Sequence, residues 1–209
     1  MRALIIDDHE VVRRGLAQIL RENFEGLDLA QAGDARQALT LLAEHPWDIV
    51  LLDINLPGRS GIDLLQEIRL RSPRTRVLVI SAYPEGEFAL RALKLGAVGY
   101  LTKNSAADEL VAAFKKALAG GMYVTASLAE KLASGLQKDF HTEPHEALSN
   151  RELEVLGLIS SGKTLKEIAA DLALSEKTVA TYRARLSHKL GLSTNVELAR
   201  YAIQHGLAH

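Results

Sequence analysis

Cysteine is absent from this sequence of 209 residues. Its absence excludes disulfide bonds, thiolate metal sites and cysteine nucleophiles, and it indicates a reducing compartment. Long apolar runs are also absent, because Asp53 interrupts the richest one, residues 49–56, and a membrane-spanning helix needs about 18 apolar residues. Acidic residues begin at Asp7, which leaves no room for a signal peptide. We therefore expect a cytoplasmic protein that does not insert into membranes.

A strong excess of one charge is lacking as well, since the formal net charge is −1. Residues 1–147 contain 17 basic and 20 acidic side chains, whereas residues 148–209 contain 8 and 6. The small positive excess in the second part does not by itself identify a nucleic-acid-binding protein. Function must therefore be inferred from residue patterns.

The first 120 residues alternate short aliphatic runs with amphipathic stretches. This alternation is typical of βα units around a parallel sheet, whose strands are buried on both faces. We predict an α/β fold with a five-stranded, doubly wound parallel sheet. The predicted strands are 3–6, 27–32, 49–52, 77–80 and 98–101, and the predicted helices are 10–23, 34–44, 61–71, 85–95 and 106–119.

After Gly120 and Gly121 the strand pattern stops. A short amphipathic helix is expected over 126–136, and the polar residues 137–147 are interpreted as a linker. His141 and His145 could form a metal pair there, but no further ligands are near them in the sequence, so a solvated linker is favoured. We predict domains at 1–121 and 148–209, joined by the short helix and linker of 122–147. The predicted C-terminal helices are 151–161, 165–172, 176–190 and 195–205.

Polar side chains follow the ends of four predicted strands. Asp7 and Asp8 follow the first strand, Asp53 ends the third, Ser81 ends the fourth and Lys103 lies beyond the fifth. The carboxyl ends of parallel strands share one edge of a sheet, so these side chains are expected to lie together. Three carboxylates without histidine or cysteine favour a magnesium-like ion. A carboxylate beside such an ion, a lysine and a hydroxyl can attack a phosphoryl group, and Asp53 is the central candidate.

The motifs around these residues resemble the receiver domain of two-component response regulators, which has a flavodoxin-like fold. They are Asp7-Asp8-His9, Asp53-Ile54-Asn55-Leu56-Pro57-Gly58, Ser81-Ala82 and Gly99-Tyr100-Leu101-Thr102-Lys103. The resemblance implies that Asp53 is the phosphoacceptor. It also implies that Ser81 and Lys103 contact the phosphoryl oxygens as catalytic residues.

The same resemblance implies a Mg²⁺ site. Asp8 and Asp53 would bind the ion directly together with the Asn55 carbonyl, and Asp7 would assist through water. His9 stands where this family often has histidine, and we expect no catalytic role for it.

A conformational switch is the third implication of the resemblance. Phosphorylation adds negative charge and acceptor oxygens, which would attract Ser81 and leave space for rotation of Tyr100. Asn55 and Tyr83 occupy positions that modulate dephosphorylation in the family. The lifetime of the phosphoaspartate does not follow from these residues alone.

The predicted helices 165–172 and 176–190 are joined by a turn of three residues, which indicates a helix-turn-helix. Motifs across 148–205, including Lys166-Glu167-Ile168-Ala169 and Leu174-Ser175-Glu176-Lys177-Thr178-Val179, resemble the LuxR-type DNA-binding domain. The second helix has an apolar face and an opposite polar face that can enter a major groove. The predicted DNA contacts are Lys177, Thr181, Arg183, Arg185, His188 and Lys189.

Residues 157–164 (GLISSGKT) also match the phosphate-binding loop of nucleotide hydrolases. That loop requires a preceding strand, whereas the apolar spacing here predicts a helix that stops at Gly162. We therefore do not expect a nucleotide site.

Together the two halves resemble a response regulator of the NarL/FixJ type. The resemblance implies a transcription regulator that a histidine kinase phosphorylates on Asp53, favouring a homodimer and binding to double-stranded DNA, with no turnover of an external substrate. One alternative is a phosphotransfer enzyme or phosphatase with Asp53 as nucleophile, although a haloacid-type phosphatase would have an acid where Asn55 stands. The other alternative is an atypical regulator that binds DNA independently of phosphorylation.

Overall fold

The computed structural model describes residues 1–83, 85–137 and 143–208. The chain forms two compact units, Met1–Ala129 and Glu130–His209. The domain bounds that we expect from the sequence differ from these two units and stay a prediction. In the first unit the elements are β1 Arg2–Ile6, α1 Glu10–Asn23, β2 Asp28–Ala32, α2 Ala35–Glu44, β3 Ile49–Asp53, α3 Gly61–Arg71, β4 Arg76–Ser81, α4 Glu87–Lys94, β5 Gly99–Thr102 and α5 Ala107–Leu118.

The five strands form one parallel sheet in the order β2-β1-β3-β4-β5. The predicted fold class is therefore confirmed. The order changes direction between β1 and β3, which lie side by side with Ile6 opposite Leu52. In open parallel sheets the crevice outside such a switch point is the usual place for chemistry. The register also aligns the end of β4 with β5, Ser81 opposite Thr102.

Both faces of the central strands are covered. On one face Ile5, Leu51 and Ile80 pack with α1 and α5 into a core that includes Phe114. The alternating residues on the other face are buried as well, for example Leu52. The edge strand β2 is less covered, and only its last residue is fully buried, whereas three of the four residues of the other edge strand, β5, are buried.

The second unit is helical. α6 Ala126–Gln137 begins within the first unit and continues to the last described residue before the gap. Residues 143–147, expected as part of a linker, instead contain a 3₁₀ turn, Pro144–Ala147, in which His145 is buried. His141 lies outside the described residues. The remaining helices are α7 Asn150–Ser160, α8 Leu165–Asp171, α9 Glu176–Leu190 and α10 Asn195–Gln204.

Hydrogen-bonded caps explain where these helices begin. Ser149, Thr164 and Thr194 each form a capping box with the glutamate three residues later. α7 ends just before Gly162, which has a positive φ of 83°. Residues 157–164 are thus helix, turn and helix cap, and no strand precedes them as a phosphate-binding loop requires. Within the described ranges, none of the helices combines the length and the apolarity needed to cross a bilayer.

Candidate functional site

A buried ion triad occupies the carboxyl end of the sheet. The Lys103 Nζ atom lies 2.6 Å from Asp53 Oδ2 and 2.7 Å from Asp7 Oδ2. Asp53 and Asp7 are each only 1% exposed. Two carboxylates from β3 and from the loop after β1 therefore share one ammonium from the loop after β5, so the structure brings together side chains that are far apart in the sequence.

Main-chain groups fix the two carboxylates. The Asn55 amide donates to Asp53 Oδ1 over 2.8 Å, and the His9 amide donates to Asp7 Oδ1 over 2.7 Å. Both bonds run from the second residue after the aspartate, which is the geometry of an Asx turn. Gly61 packs so tightly below the Asp53 loop that an added Cβ would lie 2.3 Å from Ile54 Cα. The start of α3 therefore needs glycine to approach this loop.

The environment changes the acidity of Asp53. Burial raises the pKa of Asp53 to about 6, and the neighbouring charge of Asp7 raises it as well, against the attraction of Lys103. The pKa of Lys103 is raised despite its burial, because the charge and hydrogen bond of Asp53 favour the ammonium form. Lys103 is therefore a cation at neutral pH. Ionisation of Asp53 at neutral pH, by contrast, costs free energy in the folded protein.

Asp8 completes an acidic group with Asp7 and Asp53. One side-chain ligand atom from each of these residues, together with one from His9, lies within 4.8 Å of the others. His9 Nδ1 lies 2.8 Å from Asp8 Oδ1, on the solvent side of the cluster. Three carboxylates without a sulfur donor are a hard-ligand set of the kind that suits Mg²⁺.

Ser81, Asn55, Tyr83 and Tyr100 form a hydrogen-bonded chain beside the triad. Ser81 Oγ donates to Asn55 Oδ1 over 3.0 Å and accepts from the Tyr83 amide over 3.0 Å. The Tyr100 hydroxyl donates to the Tyr83 carbonyl over 2.9 Å, and Tyr100 is completely buried. Burial raises the pKa of Tyr100. Ser81 and Tyr100, the two switch residues expected from the sequence, are therefore both hydrogen-bonded to the main chain of Tyr83 in the loop after β4.

Two contacts of this site were missed by sequence reasoning. The Arg13 side chain donates to the Asp7 carbonyl over 2.6 Å and so holds the acidic loop against α1. Thr125, just before α6, donates to Glu85 in the loop after β4 over 2.5 Å, and it accepts from the Leu128 amide over 3.2 Å. No motif signals the spacing of either pair, and Thr125 and Glu85, 40 residues apart, meet only through tertiary packing.

The helix-turn-helix is formed by α8 and α9. Ser175 caps α9 by accepting from the Thr178 amide, and Ala173 in the turn has a left-handed φ of 51°. Val179 and Leu186 are completely buried. The opposite face of α9 is exposed over its whole length; its exposed residues include Lys177, Ala180, Thr181, Ala184, Arg185 and His188.

Two basic residues of α9 have partners within the unit. Arg183 donates to Asn195 Oδ1 over 3.0 Å and to the Ser193 carbonyl over 2.7 Å. Lys189 Nζ lies 2.6 Å from Glu152 Oε2 and donates to the Ala147 carbonyl over 3.0 Å. These bonds tie α9 to its neighbours, so both side chains stabilise the unit whether or not they also approach a phosphate.

Comparison with protein families assigns the part of the chain with the acidic site and the part with the helix-turn-helix to two different families. Residues 3–115 match the family described as response regulator receiver domain. Residues 146–202 match the family described as bacterial regulatory proteins, luxR family.

Relatives match this chain along almost its whole length. The response regulator GacA of Pseudomonas aeruginosa is 34% identical over 209 residues, covering 99% of this chain and 97% of that protein. The response regulator UvrY of Escherichia coli K12 is 32% identical over 211 residues, covering 100% of this chain and 96% of that protein. A structure of RcsB from Salmonella enterica serovar Typhimurium, bound to the promoter rprA in the presence of the phosphomimetic BeF3⁻, has a TM-score of 0.67 at 27% identity and covers 96% of this chain and 97% of that one. The chain therefore belongs to the NarL/FixJ-type two-component response regulators, which are phosphorylation-controlled, DNA-binding transcription regulators rather than enzymes with an external substrate.

Proposed function

We propose that Asp53 accepts a phosphoryl group from the phosphohistidine of a sensor histidine kinase in the cytoplasm, and that this modification controls DNA binding by α9. The observation that supports this most directly is the buried triad, in which Lys103 lies 2.6 Å from Asp53 Oδ2. In the transfer, an Asp53 carboxylate oxygen bonds to phosphorus while the phosphorus–nitrogen bond of the donor breaks and the imidazole leaves. The Lys103 ammonium is already placed to offset the charge of the resulting acyl phosphate.

The cluster of Asp7, Asp8, His9 and Asp53 fits a Mg²⁺ ion because three of its four side chains are carboxylates. Asp8, Asp53 and the Asn55 carbonyl would hold the ion directly, and Asp7 through water. When bound, Mg²⁺ supplies positive charge that screens the three carboxylates from one another and from the incoming phosphoryl group.

The switch would operate through the loop after β4. A phosphoryl group on Asp53 offers strong acceptor oxygens to the Ser81 hydroxyl, which at present donates to Asn55. Movement of Ser81 displaces the Tyr83 amide bonded to it, and with it the carbonyl that accepts from Tyr100. Asn55 and Tyr83, which line this path, would set the access of water to the phosphoaspartate.

DNA recognition is assigned to the exposed face of α9. Lys177, Thr181, Arg185 and His188 are exposed there and are proposed to face the major groove. Arg183 and Lys189 are proposed nearer to the phosphates, although each must share its side chain with its present partners. Dimers of RcsB on DNA support a homodimer that reads two half-sites, favoured by phosphorylation.

The proposal is tested with the full chain, Mg²⁺ and a small phosphodonor such as phosphoramidate. Intact mass should increase by one phosphoryl group in the wild type and in Asp108→Ala, an exposed control on α5, but not in Asp53→Ala. DNA sites are then selected from genomic fragments, and their affinity is measured with and without the donor. Phosphorylation of Asp53→Ala would contradict the assignment of the acceptor. Equal affinity with and without the donor would contradict phosphorylation control while leaving DNA binding intact.

A further inference from the structure

A second group of metal-ligating side chains lies in the helical unit, separate from the acidic cluster. Glu143 precedes the 3₁₀ turn, His145 lies within it, and His205 follows the end of α10. One ligand atom of each residue lies within 4.8 Å of those of the other two. His205 Nδ1 is 3.7 Å from Glu143 Oε2. These residues come from two ends of the unit, so only the packing of the turn against α10 brings them together.

Tyr201 orients both imidazoles. Its hydroxyl lies 3.0 Å from His145 Nδ1, and its ring stacks on that of His205 with centroids 4.2 Å apart. A histidine that binds a metal through one ring nitrogen usually has a hydrogen-bond partner on the other nitrogen, which fixes the tautomer and the ring direction. The Tyr201 hydroxyl has this relation to Nδ1 of His145.

We propose that Glu143, His145 and His205 bind a divalent transition-metal ion of the zinc class. Two imidazoles and one carboxylate are a zinc-type donor set, and three protein ligands leave one tetrahedral position for water. Ligand atoms around zinc are separated by roughly 3.3 Å, given metal–ligand distances of about 2.0–2.1 Å. The pair at 3.7 Å is nearly at this separation. The three ligand atoms lie within 4.8 Å of one another and would move closer on binding the ion. The His205 and Glu143 side chains are 30% and 37% exposed, so an ion can enter from solvent.

The acidic cluster of the first unit and the histidine-containing cluster of the helical unit would select different ions. The receiver cluster has three carboxylates and suits Mg²⁺, whereas the cluster of Glu143, His145 and His205 has imidazole nitrogens, for which zinc-class ions compete far better than Mg²⁺. A bound ion would link the turn that precedes α7 to the end of α10. It would thereby stabilise the helix-turn-helix unit by mass action.

The test uses the untagged full chain, freed of metal with a chelator, in excess Mg²⁺ to occupy the acidic cluster. Zn²⁺ is titrated by calorimetry, and Co²⁺ is added as a spectroscopic probe of the coordination geometry. We expect one Zn²⁺ per chain, a rise in the melting temperature of the helical unit, and a visible Co²⁺ spectrum typical of nitrogen–oxygen coordination. No stoichiometric Zn²⁺ binding by the wild type would overturn the proposal.

Variants assign the ion to its ligands. His205→Gln and Glu143→Gln are expected to lower Zn²⁺ affinity at least tenfold, and Tyr201→Phe by a smaller factor because the ring stack remains. His45→Gln, an exposed histidine that directly follows α2, is the control and should bind Zn²⁺ as the wild type does. Circular dichroism and DNA binding confirm that each variant is folded. Unchanged Zn²⁺ affinity in both His205→Gln and Glu143→Gln would refute the site.

Discussion

The carboxyl edge of the sheet and the exposed face of α9 both depend on charged side chains, but they use them in opposite ways. At the sheet edge, Asp7 and Asp53 are almost fully buried and share Lys103. On α9, Lys177 and Arg185 extend into solvent from a single helix. Buried charges interact strongly and set the acidity of their neighbours, whereas exposed charges are screened and act mainly on a partner that arrives.

The helical unit also contains buried charges, and these clarify the comparison. Arg151 Nη1 lies 2.5 Å from Glu154 Oε2, and both residues are buried. Glu152 has a lowered pKa, because its hydrogen bonds with Lys189 and Ser149 outweigh the effect of burial. Here each buried acid has its own base, whereas at the sheet edge Asp7 and Asp53 share one. The group in which two acids share one base is the one to which we assign a chemical role.

The largest expected effect follows from removal of the shared cation. Lys103→Ala should lower the free energy of unfolding of the metal-free protein by about 2–3 kcal/mol, because it leaves two buried carboxylates without compensation. Mg²⁺ should restore part of this loss. Urea unfolding with and without Mg²⁺ measures both quantities, with the exposed Lys94→Ala as control. A loss as small in Lys103→Ala as in the control would remove the electrostatic contrast between the two regions.

Removal of the unbalanced acid should have the opposite sign. Because burial raises the pKa of Asp53 to about 6, above its value in the unfolded chain, folding binds a proton more tightly and the charged form destabilises the fold. This penalty is complete above pH 6 and disappears as the pH falls to about 4. Asp53→Asn should therefore stabilise the metal-free protein by about 2 kcal/mol at pH 7.5 and by almost nothing at pH 4. Thermal melts of both proteins between pH 4 and pH 7.5 measure this gain in stability. A gain that does not depend on pH would contradict the mechanism.

On the exposed face, stability and function should separate. Arg185→Ala is expected to weaken binding to a selected DNA site by about 1–2 kcal/mol, or roughly five- to thirtyfold, because it removes a guanidinium that we propose to face the groove. The free energy of unfolding should change by less than about 0.5 kcal/mol. Titrations at several salt concentrations, beside the exposed Arg200→Ala on α10, measure the difference. Equal DNA affinity in the wild type and Arg185→Ala would exclude Arg185 from the interface.

The smallest expected effect concerns the contact between Glu85 and Thr125. It ties the loop after β4, which also contains Tyr83 of the proposed switch, to the residue just before α6. Thr125→Val should reduce the phosphorylation-dependent gain in DNA affinity about two- to fivefold, whereas Thr125→Ser keeps the hydroxyl and should retain the gain. An unchanged gain in Thr125→Val would contradict a role for this contact in the response to phosphorylation.

The spacing of apolar residues predicted most of the helices and strands, because a buried face imposes that spacing within each element. α1, α3 and α9 begin and end at the residues predicted from the apolar spacing. The ends of the five strands differ from the expected bounds by at most one residue. The turn at Pro144–Ala147 was missed, since its order depends on His145 packing with Tyr201 and His205. A polar segment gives no local signal of such packing.

The sequence by itself determined the strand and helix pattern, the residues at the strand ends and the polar face of α9, because side-chain periodicity and capping act within a few residues. Only the tertiary structure decided that Lys103 is shared by Asp7 and Asp53, that Lys189 is engaged by Glu152, and that His145 meets His205. Ion pairs, pKa shifts and ligand clusters depend on distance and burial, and these are fixed by chain segments remote from one another in sequence.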